Sequence, residues 1–412
     1  MEEPTSNARR VIVVNRQIVG PPEPRQKHVR PRKLSDYPHV PQAYRDIARR
    51  LSSTLMMGPP ICDELIDFVR HVFTEEEAGC ARHLGMIRGK TAQQVARAEY
   101  RPVEQVEPVL RRMAFETRSI AAGGTDEKQR YHLLPIVPGM FEMVLIGQSP
   151  ETMTPWHRRF TELFEALYET GYSVDYQGGS VPMVRYLPVG RAIETHPMAL
   201  PTDQLEVVLD QFDTFGVGNC QCRMAAQVMG QGCGKPVFNC TVMGQWAERG
   251  IKDGWLREVP KKEVLAIKRE AESHGMVNWM MNVASTKGQS SCSCCGCCCK
   301  ALRMVNEFNA PGAIAPPHFR PHFDLAKCTF CGRCAKTCPM AAIALDVGQK
   351  THTYLAERCV GCGLCALSCE RQRAVAMQPV PDYKLPYRSW FSLLTRALPG
   401  MLKTSWKVWR ER

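Results

Sequence analysis

Apolar residues recur at helical spacing through much of the first half of the chain, between residues 41 and 175. Within this region the pattern predicts a helix over 75–84, a second that begins at Thr91 and a third that begins at about Val103. A glycine-containing turn over 122–126 and an apolar return over 131–137 then predict a hairpin. Because three helices followed by a hairpin are typical of a winged helix, we expect a helical, winged-helix-like domain here.

The rest of the pattern predicts mixed helices and strands between two unusual ends. The expected elements are a helix over 154–170, a loop-rich connector over 178–201, a short helix from Thr202, a helix over 261–274, an apolar strand over 276–283 and a proline-rich linker over 310–321. Residues 1–40 are rich in proline and arginine without a sustained period, which predicts a flexible arm. Residues 381–412 combine aromatic and basic residues in two amphipathic segments, divided by Pro399 and Gly400.

These patterns predict an α+β fold in five regions. They are a flexible basic arm (1–40), a winged-helix-like helical domain (41–175), a cysteine-rich middle region (176–309), a small ferredoxin-like two-cluster domain (310–380) and an amphipathic tail (381–412). The tail is expected to contact a membrane surface, a partner groove or the protein's own body.

Cysteine usage is the abnormal feature of the composition. The chain has 412 residues and 20 cysteines, and 18 of these lie between Cys220 and Cys369. No secretory signal is evident at the start, and the longest apolar stretch, 133–147, is interrupted by two prolines and a glutamate. In a reducing compartment, dense cysteine at short intervals is more typical of metal binding than of disulfides. We therefore expect a cytoplasmic protein with metal-binding thiols.

The net charge of +12 is concentrated at the two ends of the chain. Residues 1–50 contribute +6 and residues 383–412 contribute +6, so the remainder is formally neutral. Thiolates bound to iron would make that remainder negative. Basic ends of this kind suit docking to a redox partner, and they equally suit a role in solubility alone.

Two cysteine runs of the same form, C-x2-C-x2-C-x3-C, follow one another near the end of the chain. Such runs hold [4Fe–4S] clusters, because three cysteines of one loop face three irons while the fourth binds the other cluster. The first expected ligand set is Cys328, Cys331, Cys334 and Cys369, and the second is Cys359, Cys362, Cys365 and Cys338. Gly332, Gly361 and Gly363 suit backbone that curls closely around inorganic sulfide. Zinc is the alternative, but it usually takes paired C-x2-C units.

Over about residues 323–378 the chain resembles the bacterial-type two-cluster ferredoxins. The resemblance is carried by the two cysteine runs and by strand-like apolar segments at 342–345 and 374–377. It implies two [4Fe–4S] clusters and single-electron transfer. Glu370 departs from the first run, which has Pro339 at the matching position, and this change is expected to affect the local loop or the reduction potential.

Ten further cysteines lie in the middle region in two groups. The first group is Cys220, Cys222, Cys233 and Cys240, with Arg223 and Lys235 close in sequence. The second is the dense run Cys292, Cys294, Cys295, Cys297, Cys298 and Cys299. The first group is expected to hold a third iron–sulfur cluster, with zinc or redox-active or inert thiols as alternatives. One metal cannot use all six thiols of the dense run, so this run is expected to supply two sites or to share with the first group, unless it serves as a metal store or redox relay.

The order of these cysteine groups also resembles a set of bacterial 4Fe-4S dicluster proteins. That wider resemblance covers most of the chain and assigns no reaction. The winged helix raises the question of DNA binding, but its third helix carries Glu104, Glu107 and Glu116 against Arg111 and Arg112. DNA affinity depends on neutralised phosphates, so nucleic acid is not the expected partner.

Three functional hypotheses follow. The first is an electron carrier that acts with a redox partner protein or oxidoreductase complex and has no catalytic residue of its own. The second is an iron–sulfur redox sensor that regulates transcription through the winged helix, and salt-resistant, cluster-dependent DNA binding would favour it. The third is an enzyme whose active site is the run over 292–299, and it comes last because no acid–base partner or cofactor motif lies near this run.

Overall fold

The computed structural model describes residues 12–14, 17–19, 23–124, 128–176, 181–284 and 286–410. The chain forms two compact units, one of residues 27–179 and 398–412 and the other of residues 1–26 and 180–397. The predicted regions 176–309 and 310–380 fall almost wholly within the second unit, and the boundary between them stays a prediction. Residues 125–127 of the predicted wing and residues 177–180 of the predicted connector lie outside the described residues.

The predicted N-terminal arm contains two short strands, β1 (Ile12–Val14) and β2 (Gln17–Val19). They pair with each other in antiparallel register, and Ile18 also pairs with Leu345 of the ferredoxin-like region. The expectation of a flexible arm is therefore wrong for these residues. Isoleucine and valine favour extended backbone, a local preference that the proline and arginine content of the arm concealed.

The unit that contains residues 27–179 is mainly helical. Its elements are α1 (Gln42–Leu51), α2 (Asp63–Val72), α3 (Glu75–Ala81), α4 (Ala92–Glu99), α5 (Val103–Arg111), β3 (Ile120–Gly123), β4 (Arg130–Leu133), α6 (Phe141–Ile146), α7 (Pro155–Glu169) and α8 (Tyr172–Tyr176). Helices α2 and α7 pack against each other through Phe68 and Phe160, whose ring centroids lie 5.4 Å apart. Such aromatic pairs supply much of the apolar area that this unit buries.

The three predicted helices and the hairpin of this unit are confirmed as α3, α4, α5 and the antiparallel pair β3–β4. Helices α3 and α4 each begin with a capping box, at Thr74 and Thr91. Helix α3 ends at Ala81, before the predicted end, because the next turn tightens and the Leu84 N–H donates to the Ala81 carbonyl at 3.0 Å. Assignment of this arrangement to the winged-helix class stays a prediction.

The other unit mixes short helices with three small sheets. Its remaining elements are β5 (Val184–Leu187), α9 (Gly190–Ile193), α10 (Leu205–Leu209), β6 (Phe215–Asn219), α11 (Gln221–Val228), β7 (Phe238–Gly244), α12 (Gln245–Lys252), β8 (Arg257–Glu258), α13 (Lys261–Ser273), β9 (Val277–Met281), β10 (Gly288–Cys294), α14 (Lys300–Phe308), β11 (Phe319–Phe323), α15 (Arg333–Thr337), β12 (Ile343–Asp346), β13 (Thr351–Tyr354), α16 (Leu364–Leu367) and β14 (Val375–Pro379). The predicted helix over 261–274 and strand over 276–283 are confirmed as α13 and β9.

The middle region is built on a six-stranded antiparallel sheet in the order β5-β9-β10-β7-β6-β8. Strand β10 lies at the centre, with Cys292 opposite Trp279 of β9 and Ser291 opposite Thr241 of β7. The next position in the β7 register places Cys240 opposite Cys292. Strand β10 contains Cys292 and Cys294, the first two cysteines of the dense run. Its pairing in the sheet therefore fixes the positions of these two residues.

The ferredoxin-like region has two strand pairs, β11 with β14 and β12 with β13. Strand β11 begins at Phe319, inside the segment that the sequence predicted as a linker. Strand β11 pairs only with β14, so its other edge has no neighbouring strand. Pro321 is tolerated because a proline, which lacks an N–H, costs no hydrogen bond on that unpaired edge.

The tail forms one helix, α17 (Trp390–Arg410), where the sequence predicted two segments. Pro399 lies within this helix and does not divide it. Among the described helices, none is long and apolar enough to cross a membrane. The helix leaves several apolar side chains exposed, which are Phe391, Leu394, Leu398, Leu402 and Trp406.

A buried arginine joins the ferredoxin-like region to helix α14. Arg358 is 4% exposed and donates to the carbonyls of Met340 at 3.0 Å and Val305 at 3.2 Å. It also donates to Oδ1 of Asn306 at 3.1 Å, and the Nδ2 of Asn306 donates to the carbonyls of Gly296 and Pro339. This network fixes the dense cysteine run relative to the loop that follows Cys338.

Replacement of Arg358 by alanine is expected to destabilise this unit by about 2–4 kcal/mol, because three buried acceptors lose their donor. Thermal unfolding should show a midpoint several degrees lower than that of the unchanged protein. Arg371→Ala is the matched control, because Arg371 is exposed. Equal midpoints for the two variants would contradict a role for Arg358 in holding α14.

Candidate metal centres

The eight cysteines of the ferredoxin-like region surround two separate cavities. One cavity is lined by Cys328, Cys331, Cys334 and Cys369. The other is lined by Cys338, Cys359, Cys362 and Cys365. These are the two sets that the spacing predicts, so each run contributes three cysteines to one cavity and its fourth to the other.

Local backbone geometry explains this exchange of cysteines. Gly332 and Gly363 adopt left-handed conformations, with φ of 74° and 77°, and each is the residue before a short helix. Helices α15 and α16 then carry the chain toward the opposite cavity, where Cys338 and Cys369 follow their ends. Both helices pack on one shared core that includes Cys334 and Cys365, so the two cavities are neighbours.

Backbone N–H groups point at several of these sulfur atoms. The Phe330 N–H donates to Cys328 Sγ at 3.4 Å, the Ala342 N–H to Cys338 Sγ at 3.4 Å and the Gly361 N–H to Cys359 Sγ at 3.3 Å. Such donors stabilise thiolates and tune a bound cluster. Burial acts in the opposite direction and raises the pKa of Cys334 and of Cys338 to about 11. Metal binding would therefore displace protons from these thiols.

The two cysteine sets differ in the exposure of their thiols. Cys331 in the first set is exposed, whereas Cys362 and Cys365 in the second set are buried. Glu370 and Arg371, which follow Cys369, are both exposed at the surface. The first set therefore has a thiol at the surface, and the second set has two buried thiols.

Four middle cysteines converge into a compact group that we call the quartet, made of Cys233, Cys295, Cys297 and Cys298. Their sulfur atoms all lie within 4.8 Å of one another. The Cys233 and Cys295 sulfurs are 3.9 Å apart, and those of Cys297 and Cys298 are 3.6 Å apart. Tetrahedral thiolate around one zinc ion gives sulfur separations of about 3.8 Å, so the quartet suits a metal ion or a metal cluster.

The other six middle cysteines form two further groups. Cys220, Cys222, Cys294 and Cys299, which we call the inner thiols, contact one another in series. Cys240 and Cys292 form a cross-strand pair, with 3.6 Å between their sulfur atoms. The predicted single site of Cys220, Cys222, Cys233 and Cys240 is therefore wrong, because these four belong to three different groups. Sharing between the first group and the dense run, which the sequence left open, is the arrangement present.

Two buried cations lie beneath the middle thiols. Arg223 is 2% exposed, and its Nη1 donates to the Ser293 carbonyl at 2.9 Å and lies 3.7 Å from Cys295 Sγ. Lys268 is 1% exposed, and its Nζ donates to the Ser291 carbonyl at 2.6 Å. Burial lowers the pKa of Lys268 to about 8, while the thiols of Cys292 and Cys240 act to raise it. Both cations reduce the cost of burying negative charge on the neighbouring sulfurs.

Sequence reasoning identified Arg223 and missed Lys268. The missed signal is a lysine at helical spacing from Val264 and Ala271, which are both buried on the same face of α13. Lys235 was expected near the thiols, but it donates instead to the carbonyl of His274.

The basic residues in and around α5 contact other side chains of the same unit. Arg112 donates to Glu77 Oε1 at 3.0 Å, and Arg101, which precedes α5, donates to Glu76 at 2.8 Å. Arg111 lies over the ring of Phe115, 5.3 Å from its centroid. These contacts leave little cationic surface for phosphate, so the charge of this helix does not favour DNA binding.

Comparison with known proteins supports a C-terminal iron–sulfur region. A family model described as 4Fe-4S dicluster domain matches residues 320–370. Comparison with curated proteins gave no match, and neither did comparison with solved structures. The match includes both cysteine runs completely and ends before strand β14. It supports a ferredoxin-like domain in this part of the chain.

Gly361 provides a test of the backbone around the second cavity. Its φ is +69°, and an added Cβ would lie 2.4 Å from the Phe319 carbonyl oxygen. We therefore expect Gly361→Ala to destabilise the region by at least about 2 kcal/mol and to lower the iron content of purified protein. Gly312→Ala is the control, because a Cβ at Gly312 meets nothing within 4 Å. Wild-type unfolding temperature and iron content in Gly361→Ala would contradict the close packing described here.

Proposed function

We propose that this protein transfers single electrons through iron–sulfur clusters, two of which are [4Fe–4S] clusters bound in the ferredoxin-like region. The observation that carries the proposal is the sorting of eight cysteines into two sets of four, each around its own cavity. The donor set is entirely thiol, and backbone N–H groups already point at three of the sulfurs. Both features suit [4Fe–4S] clusters, which supply reversible one-electron chemistry when bound.

The unequal exposure of the two cysteine sets suggests a direction for electron exchange. Cys331 of the first set lies at the surface, so this set is the expected point of contact with a redox partner. Cys362 of the second set is buried in one hydrophobic core with Cys294 and Cys299 of the middle region. We propose that the partner is a redox protein or an oxidoreductase complex, and that this chain has no catalytic residue of its own.

We propose a third metal centre at the quartet and assign it an iron–sulfur cluster. An all-cysteine donor set next to a two-cluster region favours iron and sulfide. One zinc ion is the alternative, because the sulfur separations of 3.6 and 3.9 Å are close to those of tetrahedral zinc. We place electron transfer before transcriptional regulation because the cations at the end of the third helix are engaged, Arg111 with the ring of Phe115 and Arg112 with Glu77.

Paired substitutions test the ligand sets of the ferredoxin-like region. Cys328→Ala with Cys369→Ala removes two ligands of one proposed cluster, so about four iron and four sulfide per chain should be lost. Cys338→Ala with Cys359→Ala should do the same at the other cluster. The mixed pair Cys328→Ala with Cys338→Ala should disturb both. Elemental analysis, sulfide analysis and electron paramagnetic resonance of anaerobically purified, reduced protein measure these outcomes.

The matched control is Cys62→Ala with Cys80→Ala, which removes two buried thiols from the other unit. This control should keep the full iron content. Wild-type protein that is colourless and free of iron, or that holds only zinc, would contradict the proposed function. Equal spectra for the matched and mixed pairs would contradict the assignment of ligands to the two clusters.

We also propose that α17 contacts an anionic membrane surface. Its exposed apolar residues follow one another at intervals of three and four, so they share one helix face, and Phe391 is 78% exposed. Arg396 and Lys403 are also exposed on this helix and are available to anionic headgroups. A helix of this kind lies along a membrane surface.

Vesicle flotation tests the role of α17. Full-length protein should float with anionic vesicles, less with neutral vesicles and less at high salt. Leu398→Ala with Leu402→Ala should reduce the bound fraction several-fold, because apolar contact area is lost. Thr395→Ala is the control, since it keeps the apolar area of the helix. No flotation of the unchanged protein with anionic vesicles would refute this role.

A further inference from the structure

The inner thiols contact one another in an unbroken series. Cys222 lies beside both Cys220 and Cys299, and Cys299 also lies beside Cys294. The four come from three places in the fold, namely the start of α11, the end of β10 and the start of α14. Sequence spacing alone does not bring them together. Their convergence is a product of the sheet, because β6 and β10 flank β7 and run in the same direction, so both strands end at the same edge.

Two of the inner thiols lie beside groups that favour a thiolate. Cys220 and Cys299 are the residues before α11 and α14, so both lie at the N-terminal end of a helix, where N–H groups without a helical partner favour negative charge. The hydroxyl of Tyr186 lies 3.6 Å from Cys299 Sγ. An ordinary buried cysteine packs as a small apolar group, whereas these two have polar groups beside them. Such surroundings favour the thiolate form, which is the form that binds metal.

The inner thiols are distinct from the quartet. Cys294 is the last residue of β10, and Cys295 is the first residue beyond it, where the chain leaves the strand. Cys294 accordingly joins the inner thiols, while Cys295 joins Cys233 in the quartet. The four quartet sulfurs lie within 4.8 Å of one another, and that group includes none of the inner thiols.

The inner thiols lie between two proposed metal centres. Cys294 and Cys299 share one hydrophobic core with Cys362 of the second ferredoxin cavity, and Cys338 and Cys359 pack against the same core. Cys222 packs against the separate core that contains the quartet residues Cys295, Cys297 and Cys298. Asn306 also connects the dense cysteine run with the ferredoxin-like region, since its Nδ2 donates to the carbonyls of Gly296 and Pro339. The inner thiols therefore lie between the ferredoxin-like region and the quartet.

We infer that Cys220, Cys222, Cys294 and Cys299 bind an additional iron–sulfur cluster that links the ferredoxin-like region to the quartet. The inference rests on the proposed function, because a linking cluster has a role only if the neighbouring centres carry electrons. Each transfer along this series oxidises one centre and reduces the next by one electron, with a reduced redox partner protein as the external donor. No bond is made or broken and no proton is required.

Two pairs of substitutions separate the inner thiols from the quartet. Cys222→Ala with Cys299→Ala removes two inner ligands and should lower the content by about four iron and four sulfide per chain. Cys297→Ala with Cys298→Ala should remove the metal of the quartet alone. The quadruple variant should lose both amounts, because the two sites are independent. The probe is iron, zinc and sulfide analysis of anaerobically purified full-length protein, with Cys62→Ala and Cys80→Ala as the control pair.

The inference is overturned if Cys222→Ala with Cys299→Ala keeps the wild-type iron content, or if it loses zinc in place of iron. It is also overturned if the quadruple variant loses no more metal than the quartet pair alone, because one shared site would then be present. If loss of Cys299 at the start of α14 prevents folding, the pair Cys220→Ala with Cys222→Ala makes the same test without touching that helix. A failure of the proposed function has a different signature, namely less than about eight iron in the unchanged protein.

Discussion

The unit of residues 1–26 and 180–397 depends on one constraint, which is that it buries many cysteine sulfurs next to one another. Its interior contains thiols where another protein of this size would place hydrocarbon side chains, and one core cluster consists of three quartet cysteines with only two alanines and one methionine. A thiol gains little from dispersion beyond that of a small apolar group, and a thiolate pays a large desolvation penalty unless a cation or metal neutralises it. The packing of this unit is therefore coupled to what its sulfurs bind.

The polar groups around the sulfurs follow from the same constraint. Arg223 and Lys268 are almost completely buried, and each donates to a carbonyl of β10 next to the thiols. Cys220 and Cys299 stand directly before helices, at the ends that carry N–H groups without helical partners. In the ferredoxin-like region, backbone N–H groups donate to three of the cysteine sulfurs. Positive charge and hydrogen-bond donors thus accompany several of the clustered thiols.

Sequence reasoning named sets of cysteines that lie together in the structure where most members of a set are close in the chain. The two ferredoxin sets could be predicted because each needs one tight loop and a single residue from the other loop. The middle thiols could not, because the tertiary fold decides which sulfurs meet. Cys240 faces Cys292 of the neighbouring strand, and the chain leaves β10 between Cys294 and Cys295, which join different groups. Lys268 was missed for a related reason, since a lysine on a helix becomes significant only when the thiols behind that helix are known. The pairing of Ile18 with Leu345 likewise joins residues that no local pattern connects.

Anomalous diffraction from crystals of anaerobically prepared protein, recorded on both sides of the iron absorption edge, is the most direct test of the central claim. The account predicts strong iron peaks in each of the two cavities of the ferredoxin-like region, with further peaks at the quartet and among the inner thiols. Absence of iron from both ferredoxin cavities, or peaks only at the zinc edge, would contradict it.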